Sequence, residues 1–200
     1  CIMVVSSLLA IFLCFSMHSV AQDVQQVPII DYQHRFLPQV GRNGMVVGPE
    51  RLASEVGYQI LQQGGNAVDA AVATGFALAV TYPRAGNLGG GGFMLVHLAQ
   101  QNRQVFIDYR EMAPGASTRD MYLDPEGNVD RKTLYFSYLS AGVPGSVAGL
   151  LHALEQYGTM TVRQVLQPAV DLALKSFPVS FALHSDLTER AERLGADPAA

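Results

Sequence analysis

Tryptophan is absent from this chain and cysteine nearly so, since the two cysteines, Cys1 and Cys14, both lie at the very front. No disulfide framework can then span the rest, so the fold must be held by buried apolar surface. Charge is scarce as well. Charged residues make up 15% of the 200, the formal net charge is −4 and no basic cluster occurs, which excludes the electrostatic footprint of a nucleic-acid binder. Metal ligands do not recur at ligand spacing: His97 has no second His, Cys or acid nearby and reads as a core or edge histidine. No metal and no cofactor are expected. A phosphate loop is excluded too, because the glycines Gly89–Gly92 of "GNLGGGG" run into Phe93, Met94, Leu95 and Val96 instead of a helix start carrying Lys and Ser or Thr.

What is present starts with "CIMVVSSLLAIFLCFSMHSVAQ". An apolar stretch from Ile2 to Phe15 is followed by Ser19-Val20-Ala21, with small residues at the −3 and −1 positions of a cut before Gln22. Residues 1–21 therefore read as a secretory signal, short for a membrane span, and no membrane association is expected once it is removed. With no starting Met and no basic n-region, the front of this signal is expected to be truncated. Cys14 follows Leu13, where a lipid attachment site wants a small residue. Residues 22–43, polar with Pro28 and Pro38, read as an extended lead-in to a domain over 44–200.

Within that domain "GMVVG" (Gly44 to Gly48) has the length of a buried strand. Leu52, Val56 and Ile60, with Ala53 and Leu61 beside them, mark one face of a helix ending at Gly64-Gly65. Asn66 is a good N-cap for the next helix and Asp69 falls at its third position, where a carboxylate meets the orphan N–H groups. From there no charge appears until Arg84, so this helix should lie in the middle of a layered domain and stop at Pro83. "FMLVHL" and "VFIDY", separated by "AQQNRQ", predict an antiparallel hairpin with both faces largely covered. A turn is expected at Asp124-Pro125 and Gly127-Asn128. Val147, Leu150, Leu151 and Leu154 make the stripe of a helix closed by Gly158, with His152 at its edge. Another helix follows Thr161, with Val165, Leu166, Ala169, Val170 and Ala173 inward and a kink at Pro168. From Phe177 onward the helical tendency is weak. Helices outnumber strands, so an α+β domain with helices packed on sheet is expected, with further strands beyond Ala200.

Chemistry concentrates in "IDYREMAP". Asp108 and Arg110 are two apart at a strand end and share a face, while Glu111 points elsewhere. An Arg where a buried strand opens into a loop can present its planar fork to a carboxylate. On spacing alone an internal Asp108–Arg110 pair is the simpler reading.

Taken together, "GNAVDAAVATGFALAVTYPRAGNLGGGGFMLVHL", "FIDYREMAP", "GVPGSVAGLLHALEQYG" and "QPAVDLA" resemble, in that order, the large-subunit part of the gamma-glutamyltransferases, also called gamma-glutamyltranspeptidases or glutathione hydrolases. The resemblance covers roughly Asn43 to Leu174, and the joint occurrence of "GNLGGGG" and "REMAP" is its most specific feature. It implies an N-terminal-nucleophile hydrolase with a four-layer αββα sandwich, made as a precursor that cuts itself into a large and a small subunit. It also implies that Arg110 binds the α-carboxylate of the glutamyl group. The family's nucleophile is a threonine at the start of the small subunit, in a Thr-Thr-His type stretch. None occurs here, and Thr159 and Thr161 of "GTMTV" do not match, so no catalytic residue is expected in this chain. Its partners would be the small subunit of the same precursor and small γ-glutamyl compounds such as glutathione. An exported, thiol-free protein of this family fits the bacterial periplasm. The four glycines then look architectural, freeing the backbone for close packing and for positive φ at a tight reversal. Two alternatives stay open: a cephalosporin acylase-like member of the same fold, and a non-catalytic exported binding or scaffold protein.

Overall fold

A computed structural model describes residues 39–196. The expected signal over 1–21, the lead-in up to residue 38 and the last four residues lie outside the described residues. From Arg51 onward the elements follow in the order α1 (Arg51–Gln62), α2 (Ala67–Thr81), β1 (Phe93–Leu98), β2 (Arg103–Asp108), α3 (Arg131–Phe136), α4 (Ser146–Tyr157), α5 (Val162–Lys175) and α6 (Phe181–Gly195).

The charge-poor α2 takes the central place. Val68, Ala70, Val72, Ala73, Phe76 and Ala77 are buried in one cluster with Ala53, Val56 and Ile60 of α1, Leu150, Ala153 and Leu154 of α4, and Val165 and Ala169 of α5. So many alanines in α2 let its neighbours approach closely, and Gly57 does the same from α1. A Cβ at Gly57 would collide with the Thr74 hydroxyl and lie 3.1 Å from the Ala70 carbonyl oxygen. Gly64 and the Asn66–Asp69 cap close the end of α1 and open α2 as the sequence indicates, and Glu50, not expected from the sequence, caps the start of α1. The Glu50 side chain accepts from the Ala53 N–H at 3.0 Å, Gly64 turns the chain at φ +91°, and Asn66 with Asp69 forms a capping box. Helix α2 stops at Thr81, just before Pro83.

The hairpin forms in the expected place, with Phe93 opposite Asp108 and Leu98 opposite Arg103. A short 3₁₀ turn over Ala99–Gln101 and Asn102 in the left-handed region (φ 44°) reverse the chain. Its two faces differ, contrary to the expectation that both are covered. Met94, Val96, Leu98, Val105 and Ile107 pack towards the helical core, while Phe93, Leu95 (67% exposed) and Phe106 stand on the open side. Among the described residues the helices lie against one face only, and on the other Phe93 stacks on Phe106 with ring centres 5.8 Å apart. His97 is exposed, at the edge of the hairpin.

Other expectations need correction. Gly44 to Gly48 form no strand: among the described residues the sheet consists of β1 and β2 alone, so this segment has no ladder to join, and Val47 is 83% exposed. On α4 the buried line is Ser146, Gly149, Leu150, Ala153 and Leu154, and Val147 turns outward. On α5 it is Val165 and Ala169 with Leu172 half-buried, while Val170 and Ala173 are exposed, because only one line of the helix meets α2 and α1. The helix continues through Pro168. Helix α6 is more definite than its sequence suggests. Ser180 caps it, Leu183 is buried, and Asp186 pairs with Arg84 at 3.3 Å. The expected turn is present, with the Asp124 N–H donating to the Asn128 carbonyl at 2.8 Å and Gly127 at φ +83°. The short α3, capped by Asp130, is an addition.

Candidate functional site

Strand β2 leaves the sheet through Tyr109 and delivers Arg110 into the loop. The ladder runs one pair beyond the named strands, with the Tyr109 N–H donating to the Gly92 carbonyl at 3.0 Å and the Gly92 N–H to the Tyr109 carbonyl at 3.3 Å. Next, the Asp108 carboxylate folds back to accept the Arg110 backbone N–H at 3.0 Å. Two residues on, Met112 and Val143 exchange backbone bonds at 3.2 and 2.8 Å. The backbone of residues 109–112 is therefore tied on both sides of Arg110.

The Arg110 side chain is not tied in the same way. It is 65% exposed, and its nearest acid is Glu111, with Nε and Oε1 3.8 Å apart. The Asp108–Arg110 ion pair does not form, because the Asp108 carboxylate is engaged with a backbone donor. Glu111 does not point elsewhere, as its spacing suggested, but lies beside the guanidinium. An exposed pair at that separation contributes about 0–1 kcal/mol, too little to hold the fork against a competing ligand. Among the described residues the guanidinium makes no hydrogen bond.

The glycine run supports this strand end from beneath. The Gly90 carbonyl accepts from the N–H groups of Gly145 and Ser146 at 2.8 and 3.0 Å, joining the start of β1 to the start of α4. At Gly91 a Cβ would collide with the Glu111 backbone nitrogen, and at Gly92 it would sit 2.8 Å from the Tyr109 ring. None of the four glycines has a positive φ, so that part of the expectation is corrected. Close approach is their physical reason, except at Gly89, which faces open space. Asn87 lies over Gly90, its Oδ1 2.5 Å from where a Cβ would stand. Tyr109 itself is half-buried, and burial pushes its hydroxyl pKa above the ordinary value.

A second polar cluster is centred on a buried acid. Asp69 has no exposed surface, and its carboxylate accepts from the Asn66 N–H at 2.8 Å, the Thr159 N–H at 2.9 Å, the Thr159 hydroxyl at 2.6 Å and the Met160 N–H at 3.1 Å. Asn66 adds a bond to the Tyr157 carbonyl at 2.6 Å. Burial alone would raise the Asp69 pKa, but these donors outweigh it and hold the carboxyl below its ordinary value. Sequence reasoning found the cap and missed the link to Thr159, for which no local signal exists. Thr161 is likewise structural: its hydroxyl caps α5 in a box with Gln164. Among the described residues no three His, Cys, Asp or Glu side chains converge as a metal site, and no helix is long and apolar enough to cross a membrane.

The family model described as Gamma-glutamyltranspeptidase matches residues 53–200, a span that includes the glycine run, Tyr109, Arg110 and the Asp69 cluster. The chain belongs to the gamma-glutamyltranspeptidase family. It is 50% identical over 177 residues to the glutathione hydrolase proenzyme of Escherichia coli strain K12, covering 87% of this chain and 30% of that protein. Identity to the Acylase ACY 1 proenzyme of Pseudomonas sp. strain V22 is lower, 40% over 176 residues, covering 85% of this chain and 31% of that protein. The crystal structure of Helicobacter pylori gamma-glutamyltranspeptidase matches with a TM-score of 0.77 at 44% identity, covering 82% of this chain and 46% of that one. The chain thus spans less than half the length of these relatives. Its fold is α+β, of the N-terminal-nucleophile hydrolase type shared by the gamma-glutamyltranspeptidases, and the described residues supply one helical layer and one hairpin of it.

Proposed function

We propose that the protein is a γ-glutamyl hydrolase and transferase, which cleaves the γ-glutamyl bond of glutathione and related compounds and passes the glutamyl group to water or an acceptor amine. In this reading a small subunit from the same precursor brings the threonine nucleophile. Its hydroxyl oxygen attacks the γ-carbonyl carbon while its α-amine takes the proton, the leaving amine departs protonated, and a glutamyl ester remains for water or amine to resolve. Backbone N–H groups stabilise the oxyanion. This chain supplies Arg110, which receives the α-carboxylate in a two-point, charge-assisted contact.

The observation that carries the reading is the contrast at Arg110: a backbone tied on both sides of the residue and a guanidinium left mostly open to solvent. The family match supports a glutamyl α-carboxylate as the ligand of that open fork. The test is Arg110→Lys in the complete enzyme. A point ammonium cannot reproduce the fork, and losing one bond to a charged group costs about 1.5–3 kcal/mol, so KM for a γ-glutamyl anilide should rise about 10- to 100-fold. An unchanged KM would overturn the clamp.

Residues 1–21 would direct export and be removed, leaving the lead-in over 22–43 and the domain from Gly44 onward, with the bacterial periplasm as destination. The acylase alternative rests on lower identity than the glutathione hydrolase reading, and a substrate panel of γ-glutamyl and cephalosporin amides separates the two.

A further inference from the structure

We propose that Tyr109 is the positioning residue for Arg110, and that Gly92, Gly145 and Gly149 form the socket that fixes it. The inference rests on the carboxylate-clamp reading and adds to it what aims the clamp. Arg110 has no side-chain partner strong enough to orient it, so the direction in which it leaves the sheet is set by the peptide it grows from. That peptide belongs to Tyr109. Its N–H and carbonyl are both bonded to Gly92, and its ring lies between the start of β1 and the body of α4.

The fit is close at three points. A Cβ at Gly149 would overlap Cβ and Cγ of Tyr109, one at Gly92 would come within 2.8 Å of Cε2 and 3.1 Å of the hydroxyl oxygen, and one at Gly145 would overlap the Tyr109 carbonyl oxygen. None of the three glycines has a positive φ, so backbone handedness does not require them there. What they share is Tyr109. A side chain at Gly145 would press on the Tyr109 peptide itself, one at Gly149 on the root of its side chain and one at Gly92 on its ring, so that the first two displace the backbone from which Arg110 grows. The ring fills the socket, and no hydrogen bond of its hydroxyl enters the argument, so a phenylalanine should serve.

The experiment is a double-mutant cycle in the complete enzyme, read as KM and kcat on a γ-glutamyl anilide and on its α-amide analogue, which lacks the carboxylate. Since a misplacement of about 1 Å can cost up to about 100-fold, Gly149→Ala should raise KM for the carboxylate substrate by about 10- to 100-fold, with kcat little changed. It should not alter kinetics on the α-amide. In an Arg110→Ala background the same change should add nothing. Tyr109→Leu, which empties the socket without overfilling it, should behave like Gly149→Ala and carries the cycle if that variant does not fold. Tyr109→Phe should recover the KM that Tyr109→Leu loses.

The positioning role is overturned if Gly149→Ala or Tyr109→Leu multiplies with Arg110→Ala, or affects both substrates alike. The clamp reading fails separately, if Arg110→Ala alone leaves KM for the carboxylate substrate unchanged.

Discussion

Asp69 and Arg110 are both polar groups held by well-fixed backbone, yet the molecule treats them oppositely. Every lone pair that Asp69 could offer is taken up by Asn66, Thr159 and Met160 of its own chain, and the group has no exposed surface. Arg110 is 65% exposed and, among the described residues, its charge is paired with Glu111 alone, at 3.8 Å. A charge whose hydrogen-bonding capacity is saturated internally holds the architecture together. One with unused capacity, on a braced stem, is available to a ligand.

Substitutions can break that contrast or sharpen it. The largest effect is expected from Asp69→Ala, which strips the acceptor from four part-buried donors and should lower unfolding free energy by on the order of 4 kcal/mol in urea titrations of the complete protein. KM of the folded fraction should stay where it was. Should KM rise while stability holds, the two clusters have been assigned the wrong way round. Arg110→Lys comes next and should do the reverse, raising KM as described above while the urea midpoint stays unmoved.

The Asp69 cluster also has a pH signature. A carboxyl held below its ordinary pKa in the folded state contributes stability that is fully present above about pH 4 and is lost as the pH falls through the folded-state value. The stability gap between wild type and Asp69→Asn should therefore be constant near neutrality and close in acid. A gap that widened on acidification would mean that the group is bound as the neutral acid. The smallest effect is expected from Arg51→Ala, which removes an exposed i,i+4 pair with Glu55 and should change stability by about 0.3–0.5 kcal/mol, with KM untouched.

Much of the helical layer was legible in the sequence, because caps and periodicity are local. Asn66, Asp69, Thr161 and Pro83 mark their helix ends as a four-residue window would place them. Errors arose where the answer depended on a neighbour elsewhere in the chain. Phe93, Leu95 and Phe106 are as apolar as the residues between them, so composition could not show that one hairpin face has no helix against it among the described residues. Nor could it show that Gly44 to Gly48 find no strand to pair with, or which line of α4 and α5 turns inward. At the candidate site, Arg110 was singled out through its motif. The roles of Asp108 and Glu111 came out differently because a backbone N–H, invisible to side-chain spacing, competes successfully for the Asp108 carboxylate.

The reach from Asp69 to Thr159 also bears on the order of events during synthesis. The donors that satisfy this carboxylate are encoded 90 residues after it. Until the α4–α5 junction has been made and can fold back onto it, the first turn of α2 must remain hydrated. A chain cut short of that junction would leave the Asp69 carboxylate dependent on water in place of Thr159 and Met160.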